Sequence, residues 1–202
     1  LELLMTSDSN RAVQLAHCLE AHNRARQQEE EKIRAEATAM LEAADFSPAR
    51  DRVIVLGSRT WHPGVVGIVA SLLMRRYHKP TFIISLDENG LGKGSGRSIP
   101  GISLVQAIHA CASTLISGGG HEMAAGLVIR EEKIDAFREA FDAFVRNNCT
   151  EEQLKPRLNI DAEVCFHELT LDLLNHYELL EPFGNSNPQP IFMSRNVMLS
   201  DA

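Results

Sequence analysis

Val53-Ile54-Val55-Leu56-Gly57-Ser58-Arg59-Thr60-Trp61-His62-Pro63 is the stretch that decides the fold. Four consecutive apolar residues, three of them β-branched, followed by Gly and Ser, read as a short buried strand running into a loop. Pro63 is placed like the first residue of a helix. The apolar residues Val65, Val66, Ile68, Val69, Leu72 and Leu73 then go nearly all round a helix over 65–77, as expected of one enclosed in a core. Lys79-Pro80 stops it, and Thr81-Phe82-Ile83-Ile84-Ser85-Leu86 is a second strand. Strand, helix and strand in this order make a βαβ unit, which favours parallel pairing.

After a hairpin-like turn at 87–90 comes Leu91-Gly92-Lys93-Gly94-Ser95-Gly96-Arg97-Ser98-Ile99. At the strand period of two, Lys93, Ser95 and Arg97 share one face and Gly92, Gly94 and Gly96 the other. Such a strand suits close packing beneath and an anion above. Arg97 can fork onto a phosphate, or pair with a carboxylate such as Glu88. Ser95 and Ser98 can donate hydroxyls to the same anion, or satisfy the local backbone. Pro100-Gly101 makes a turn, and a helix is expected over 102–116 with Leu104, Ile108, Cys111 and Leu115 inward.

Gly118-Gly119-Gly120-His121-Glu122-Met123-Ala124-Ala125-Gly126 reads as a loop leading to a strand at 127–130. Free N–H groups on successive glycines can form an anion nest with His121 at its edge, and a purely structural turn explains three glycines as well. No Gly-Lys-Ser/Thr comes after it, so the loop is not a P-loop. His62, in the loop before a helix, either meets a ligand or, with Trp61, plugs the domain edge. A helix over 131–145 then carries Ile134, Phe137, Phe141 and Phe144 on its core face.

Upstream, 1–5 is expected to be the tail of a strand. Ser7-Asp8-Ser9-Asn10 offers N-caps for a long, partly exposed helix reaching about Ala43, its charged middle a solvated face with i,i+4 pairs. Downstream, a polar linker over 147–156 precedes a strand at 158–164, a helix near 171–180 and a rigid connector, Glu181-Pro182-Phe183-Gly184-Asn185-Ser186-Asn187-Pro188-Gln189-Pro190, into a last strand. The chain therefore reads as α/β. A connector helix (1–50) precedes a mixed sheet flanked by helices (51–149), and an incomplete second unit (150–202) comes last. The opening at Leu1 and the ending in mid-phrase fit an internal stretch of something longer.

The 202 residues are 44% hydrophobic with a net charge of −7. Residues 1–50 carry −3, 51–130 carry +4 and 131–202 carry −8, so the positive excess falls on the glycine-rich centre. That suits a locally held anion better than a broad DNA-coating surface. Cys18, Cys111, Cys149 and Cys165 form no Cys-x-x-Cys pair; with Cys18 and Cys111 expected in helix cores, they read as buried free thiols in a reducing compartment. No apolar run is long enough to span a bilayer. No nucleophile–base pair or convergent metal-ligand cluster is legible, so the residues alone say an anion-binding α/β domain with appendages.

Four segments in order resemble the RecJ family of bacterial single-strand-specific DNA exonucleases, in the DHH phosphoesterase group. They are 61–70 (Trp61-His62-Pro63-Gly64-Val65-Val66-Gly67-Ile68-Val69-Ala70), Gly94-Ser95-Gly96-Arg97-Ser98-Ile99, Gly119-Gly120-His121-Glu122-Met123-Ala124-Ala125-Gly126, and Pro182-Phe183-Gly184 with Asn187-Pro188-Gln189-Pro190. The helix with Asp8, Ala12, Leu15, Ala16, Leu19, Asn23 and Arg26 also resembles that family's connecting helix. The resemblance implies 5′-to-3′ degradation of single-stranded DNA in recombination and repair. It further implies Mn²⁺ or Mg²⁺ bound by an N-terminal domain whose aspartate motifs are not in this sequence, so that this stretch alone is expected to be inactive. The regions here would be the connecting helix, the DHH-associated substrate domain and the start of an oligonucleotide-binding barrel. Ser95 and Arg97 would hold the 5′ phosphate. His121 with the Gly119-Gly120 backbone would hold the scissile phosphate, and Trp61 and His62 would line the same cleft. Single-stranded DNA, single-strand-binding protein and a recombination helicase would be the partners, in the cytoplasm, with no membrane. Gly118, where many members of the family carry a bulky residue, is also similar to small phosphodiesterases of the superfamily that act on nano-RNA or cyclic dinucleotides. A non-catalytic nucleic-acid-binding module is the remaining alternative.

Overall fold

The structure, a computed structural model, describes residues 1–184 and 186–198. Asn185 of the expected connector and the terminal Ala202 lie outside the described residues. The chain divides into two units, Leu1–Lys155 and Pro156–Ala202.

The first unit opens with a single helical turn, α1 (Glu2–Met5), where a strand tail was expected. A strand there would need a neighbour for its backbone groups, whereas the turn satisfies them locally, Thr6 N–H donating to the Glu2 carbonyl at 3.0 Å. Helix α2 (Ser9–Ala43) is the long helix expected. Asp8 caps it, its carboxylate accepting from the N–H groups of Asn10 and Arg11. Only Ile33, Ala37 and Leu41, four residues apart, are buried. The preceding turns stand exposed, laced by pairs such as Arg26–Glu30 and Arg34–Glu31. Asp45, in the left-handed region at φ 52°, turns the chain out of the helix.

Strand β1 (Ile54–Ser58) pairs parallel with β2 (Thr81–Leu86), and the crossover is α3 (Val66–Tyr77). The βαβ reading therefore holds, although α3 starts three residues after Pro63, which lies in a preceding turn. The Asp87 carboxylate accepts from the N–H groups of Asn89 and Leu91, tightening the turn into β3 (Leu91–Arg97), antiparallel to β2.

The next segment departs from expectation. The helix over 102–116 shrinks to α4 (Leu104–Ala110) plus one 3₁₀ turn, and the glycines are no loop. Ser117–Gly120 forms strand β4, antiparallel to β5 (Ala124–Arg130). Gly118 has to be small because a Cβ there would lie 2.9 Å from Ile108 Cγ2. Gly120, at φ 152°, would drive a Cβ into the Ala125 backbone. Sheet order is β1-β2-β3-β5-β4, so β4 is an edge. Helix α5 (Ile134–Asn148) closes this unit, with Ile134, Phe137, Phe141 and Val145 buried and Phe144 half-buried.

The strand period distributes these residues to two cores. Val55, Phe82, Ile84, Leu127 and Ile129 pack with α4 and α5 on one face. Ile54, Leu56 and Ile83 pack with α3 on the other, and the buried stripe of α2 closes over α3. Helix α3 is thus enclosed as expected on most sides, with Ile68 and Leu72 half-buried.

Cys111 is 1% exposed and burial pushes its thiol up to about 11; Cys149 is shifted in the same direction for the same reason. Cys18, expected in a helix core, is instead exposed, because it lies on the part of α2 before Ile33, where no residue is buried. Since the thiolate is the reactive form, alkylation at pH 8 followed by mass spectrometry should modify Cys18 and Cys165 first. Cys111 should react only on unfolding; early labelling of Cys111 would contradict the burial.

In the second unit, Thr170 caps helix α6 (Leu171–Glu178), its hydroxyl accepting from Leu173 N–H. The strand expected at 158–164 is reduced to β6 (Ala162–Glu163), which pairs parallel with β7 (Phe192–Met193). Tyr177 of α6 packs on Phe183 and Phe192, with ring centroids 5.3 and 6.1 Å away. With Leu171, Leu179 and Phe166 exposed, this small sheet is not closed into a barrel.

Candidate functional site

The glycines of β3 point into the core. A Cβ on Gly92 would lie 2.7 Å from Ile84 Cγ2, one on Gly94 2.7 Å from Leu127 Cδ1, and one on Gly96 2.6 Å from Phe82 Cζ. Lys93, Ser95 and Arg97 are thereby turned to the opposite face, as the alternation implied. There Ser95 and Arg97 meet the first turn of α3: a Cβ on Gly67 would fall 2.9 Å from Ser95 Oγ and 3.2 Å from Arg97 Nη2. This helix start has no side-chain cap; the Val65 carbonyl accepts from Ile68 N–H at 2.9 Å, and among the described residues no side chain accepts from the N–H groups of Val66 and Gly67.

Half-buried Arg97 donates through Nη1 to Ser95 Oγ at 3.1 Å and to the Gly96 carbonyl at 2.7 Å. Among the described residues no carboxylate pairs with it. The alternative partner, Glu88, instead offers its backbone carbonyl to Arg59. A guanidinium beside the positive end of a helix, with no counter-charge, is an arrangement that an anion relieves.

Helix α3 packs over β2 and β3, and the same face of the sheet continues bare across β5 and β4. Register aligns Ser95 with Gly126 and Gly126 with Gly119. A Cβ on Gly119 would meet nothing within 4 Å. Arg97 aligns with Ala124, whose carbonyl accepts from His121 N–H at 2.8 Å. Arg97 and the exposed His121 therefore share a row two strand spacings wide, about 10 Å, with a side-chain-free floor beside it. The triple glycine is extended, not curled into a nest. The hairpin tip is anchored from behind, Ser98 N–H donating to Met123 and Leu104 N–H to Glu122.

One expected ligand residue is placed otherwise. Ser98 is fully buried, and its hydroxyl donates to the Ile102 carbonyl at 2.7 Å, so it serves the backbone. Trp61 is 2% exposed, packed in the α2–α3 core with Nε1–H donated to Glu36 at 2.9 Å, and beside His62 it forms part of the wall of the cleft described below, as expected. His62 is exposed, and its Nδ1 accepts from Gly64 N–H at 3.0 Å, which leaves Nε2–H as the donor of the neutral ring.

A cleft of about 930 Å³ opens between α2 and loop 59–65, lined by His62, Arg59, Lys93, His22 and Arg26 among others. Lys93 joins it to the Ser95–Arg97 row. On sequence grounds His22 has no ligand context and Arg26 belongs to a solvated face, so neither is legible as a cleft residue there. The signal that could have found them is their i,i+4 spacing, with Glu29 one further turn on. Arg59 is held at the cleft's end by Glu131, 2.5 Å from Nη2. Among the described residues no three His, Cys, Asp or Glu side chains converge to hold a metal ion.

The DHHA1 domain family matches residues 50–147, and the RecJ OB domain family matches residues 160–202. The chain belongs to the RecJ family. It is 35% identical to the single-stranded-DNA-specific exonuclease RecJ of Bacillus subtilis, over all of this chain and 25% of that protein. It is 34% identical to the RecJ of Dickeya dadantii, over 96% of this chain and 35% of that one. The chain thus spans about a quarter to a third of the curated RecJ relatives it matches. Among solved structures it is similar to Thermus thermophilus RecJ crystallised with Mg²⁺, at 29% identity and a TM-score of 0.77, over 95% of this chain and 29% of that chain. The same protein crystallised with Mn²⁺ gives 31% and 0.76. RecJ-family membership accounts for the fold of both units. Among the described residues no side-chain cluster fits the metal ions of those structures.

Proposed function

We propose that this chain is the substrate-gripping part of a 5′-to-3′ single-stranded-DNA exonuclease of recombination and repair. The observation that carries the reading is Arg97, held by Ser95 and Gly96 at the uncapped start of α3 with no carboxylate partner, at the margin of a bare glycine floor that ends at His121. Arg97 and Ser95 bind the terminal 5′ phosphate. The Gly119–Gly126 floor lets the sugar–phosphate chain approach the backbone, and His121 contacts the next phosphate across it, with His62 donating from the cleft side. A floor about 10 Å wide suits one strand and not a duplex. In the whole protein Mn²⁺ or Mg²⁺ supplies the hydrolytic chemistry from residues outside this chain, which alone grips and does not cut. The protein works in the cytoplasm beside single-strand-binding protein and a helicase. Among the described residues no helix is long and apolar enough to cross a membrane.

The test is fluorescence anisotropy of the chain with one labelled single strand carrying a 5′ phosphate, a 5′ hydroxyl or a 3′ phosphate. Tighter binding of the 5′-phosphorylated form is expected. Equal binding of all three would overturn the 5′-phosphate assignment.

A further inference from the structure

The geometry points to Glu36 of α2 as a positioning residue for the phosphate-binding face. One carboxylate oxygen of Glu36 accepts two hydrogen bonds from the loop before α3: Trp61 Nε1–H at 2.9 Å and Thr60 Oγ1–H at 3.0 Å. Among the described residues these are the side-chain hydrogen bonds that tie α2 to the sheet; its other side-chain bonds stay within the helix or reach α1. Both donors belong to a segment that is clamped again from below, where the buried Ser85 hydroxyl donates to the Trp61 carbonyl at 2.6 Å.

The binding face comes immediately after this clamp in the chain. The next residue is His62, whose carbonyl accepts from Val65 N–H, and the turn so closed leads into α3. The first turn of α3 lies against Ser95 and Arg97 at Gly67. Trp61 is buried in the same cluster as Val65, Val66 and Val69 of the helix start, so a shift of the indole is felt there. Glu36 sits between Ile33 and Ala37, the two fully buried contacts of α2, and cannot withdraw without moving the helix. A carboxylate at this position fixes the loop that offers His62 and the helix start that faces Arg97, without touching the ligand.

This inference rests on the 5′-phosphate reading, and the experiment separates the two. Trp61 is the only tryptophan, so its emission reports on the clamp whether or not DNA binds. In the Glu36→Ala chain the emission should move to the red, and affinity for a 5′-phosphorylated single strand should fall about tenfold, the scale of one charge-assisted hydrogen bond. Glu36→Gln, which keeps an acceptor for the indole, should recover most of that affinity. Phe141→Leu, in the core on the other side of the sheet, serves as the stability control and should keep full affinity at an equal or greater loss of melting temperature. Unchanged emission in Glu36→Ala, unchanged affinity in that variant, or an equal affinity loss in Phe141→Leu would each overturn the assignment. If Arg97→Ala binds as well as the parent chain, the 5′-phosphate reading fails instead, and the emission arm still decides whether Glu36 holds the loop.

Discussion

Replacing Arg97 with alanine is expected to lower affinity for a 5′-phosphorylated single strand about 10- to 100-fold, with little loss of affinity for the 5′-hydroxyl form. The magnitude is that of one or two charge-assisted hydrogen bonds. Arg97 donates only to neutral oxygens, on Ser95 and Gly96, so no ion pair has to be broken when a phosphate arrives. Arg97→Lys should recover the charge and not the fork, leaving affinity in between. Ser98→Ala separates the binding role from the structural one. It removes the bond to the Ile102 carbonyl and should cost about 1 kcal/mol of stability, while leaving affinity intact. Titrations of the variants against both oligonucleotides check this. A Ser98→Ala chain that lost phosphate preference as Arg97→Ala does would show that the pocket is drawn wrongly.

Gly96→Val is expected to be strongly destabilising, by about 3 kcal/mol or more. The position a Cβ would take lies 2.6 Å from Phe82 Cζ, and Phe82 has no room to retreat. It is fully buried, edge-on to Phe137 and Phe141 with ring centroids 5.3 and 5.4 Å away. Gly119→Ala makes the contrast, since a methyl group there meets nothing, and stability should stay within about 0.5 kcal/mol. That methyl would rise from the proposed floor, so Gly119→Ala should weaken DNA binding where Gly96→Val weakens folding. Urea unfolding of both variants reads the first difference and anisotropy the second. Equal destabilisation by the two would mean that the two faces of this sheet are not as distinct as the packing makes them.

The βαβ unit, the β2 strand and the 35-residue helix were legible because each rests on a side-chain period or on a local stop. The bare and basic faces of β3 were legible for the same reason. Strand β4 was not, because Gly118-Gly119-Gly120 has no side chains and hence no alternation to read. Its extended form is imposed by Ile108 on one side and by the β5 backbone alongside. The placement of Trp61 depends on Glu36, 25 residues earlier, and no short-range pattern links them. Ser98 could have gone to ligand or backbone on sequence grounds, and only the nearness of the Ile102 carbonyl separates the two. In the second unit the stretch from Leu158 to Val164 looked like a strand, but the paired ladder is only Ala162 and Glu163, with Asp161 N–H donating to the Ile191 carbonyl and Val164 N–H to the Met193 carbonyl at its two ends.

Helix α2 also has a mechanical consequence. Its contacts with the body begin at Ile33 and end at Leu41, while Ser9 lies 24 residues before that root, about 36 Å at the helical rise. The helix is therefore a cantilever with a stem of some two turns. A tilt of about 5° at the stem carries the Ser9 end through about 3 Å. His22 and Arg26 ride on the projecting arm, so the gape of the cleft they share with loop 59–65 is geared to a joint whose pivot is Ile33, Ala37 and Leu41.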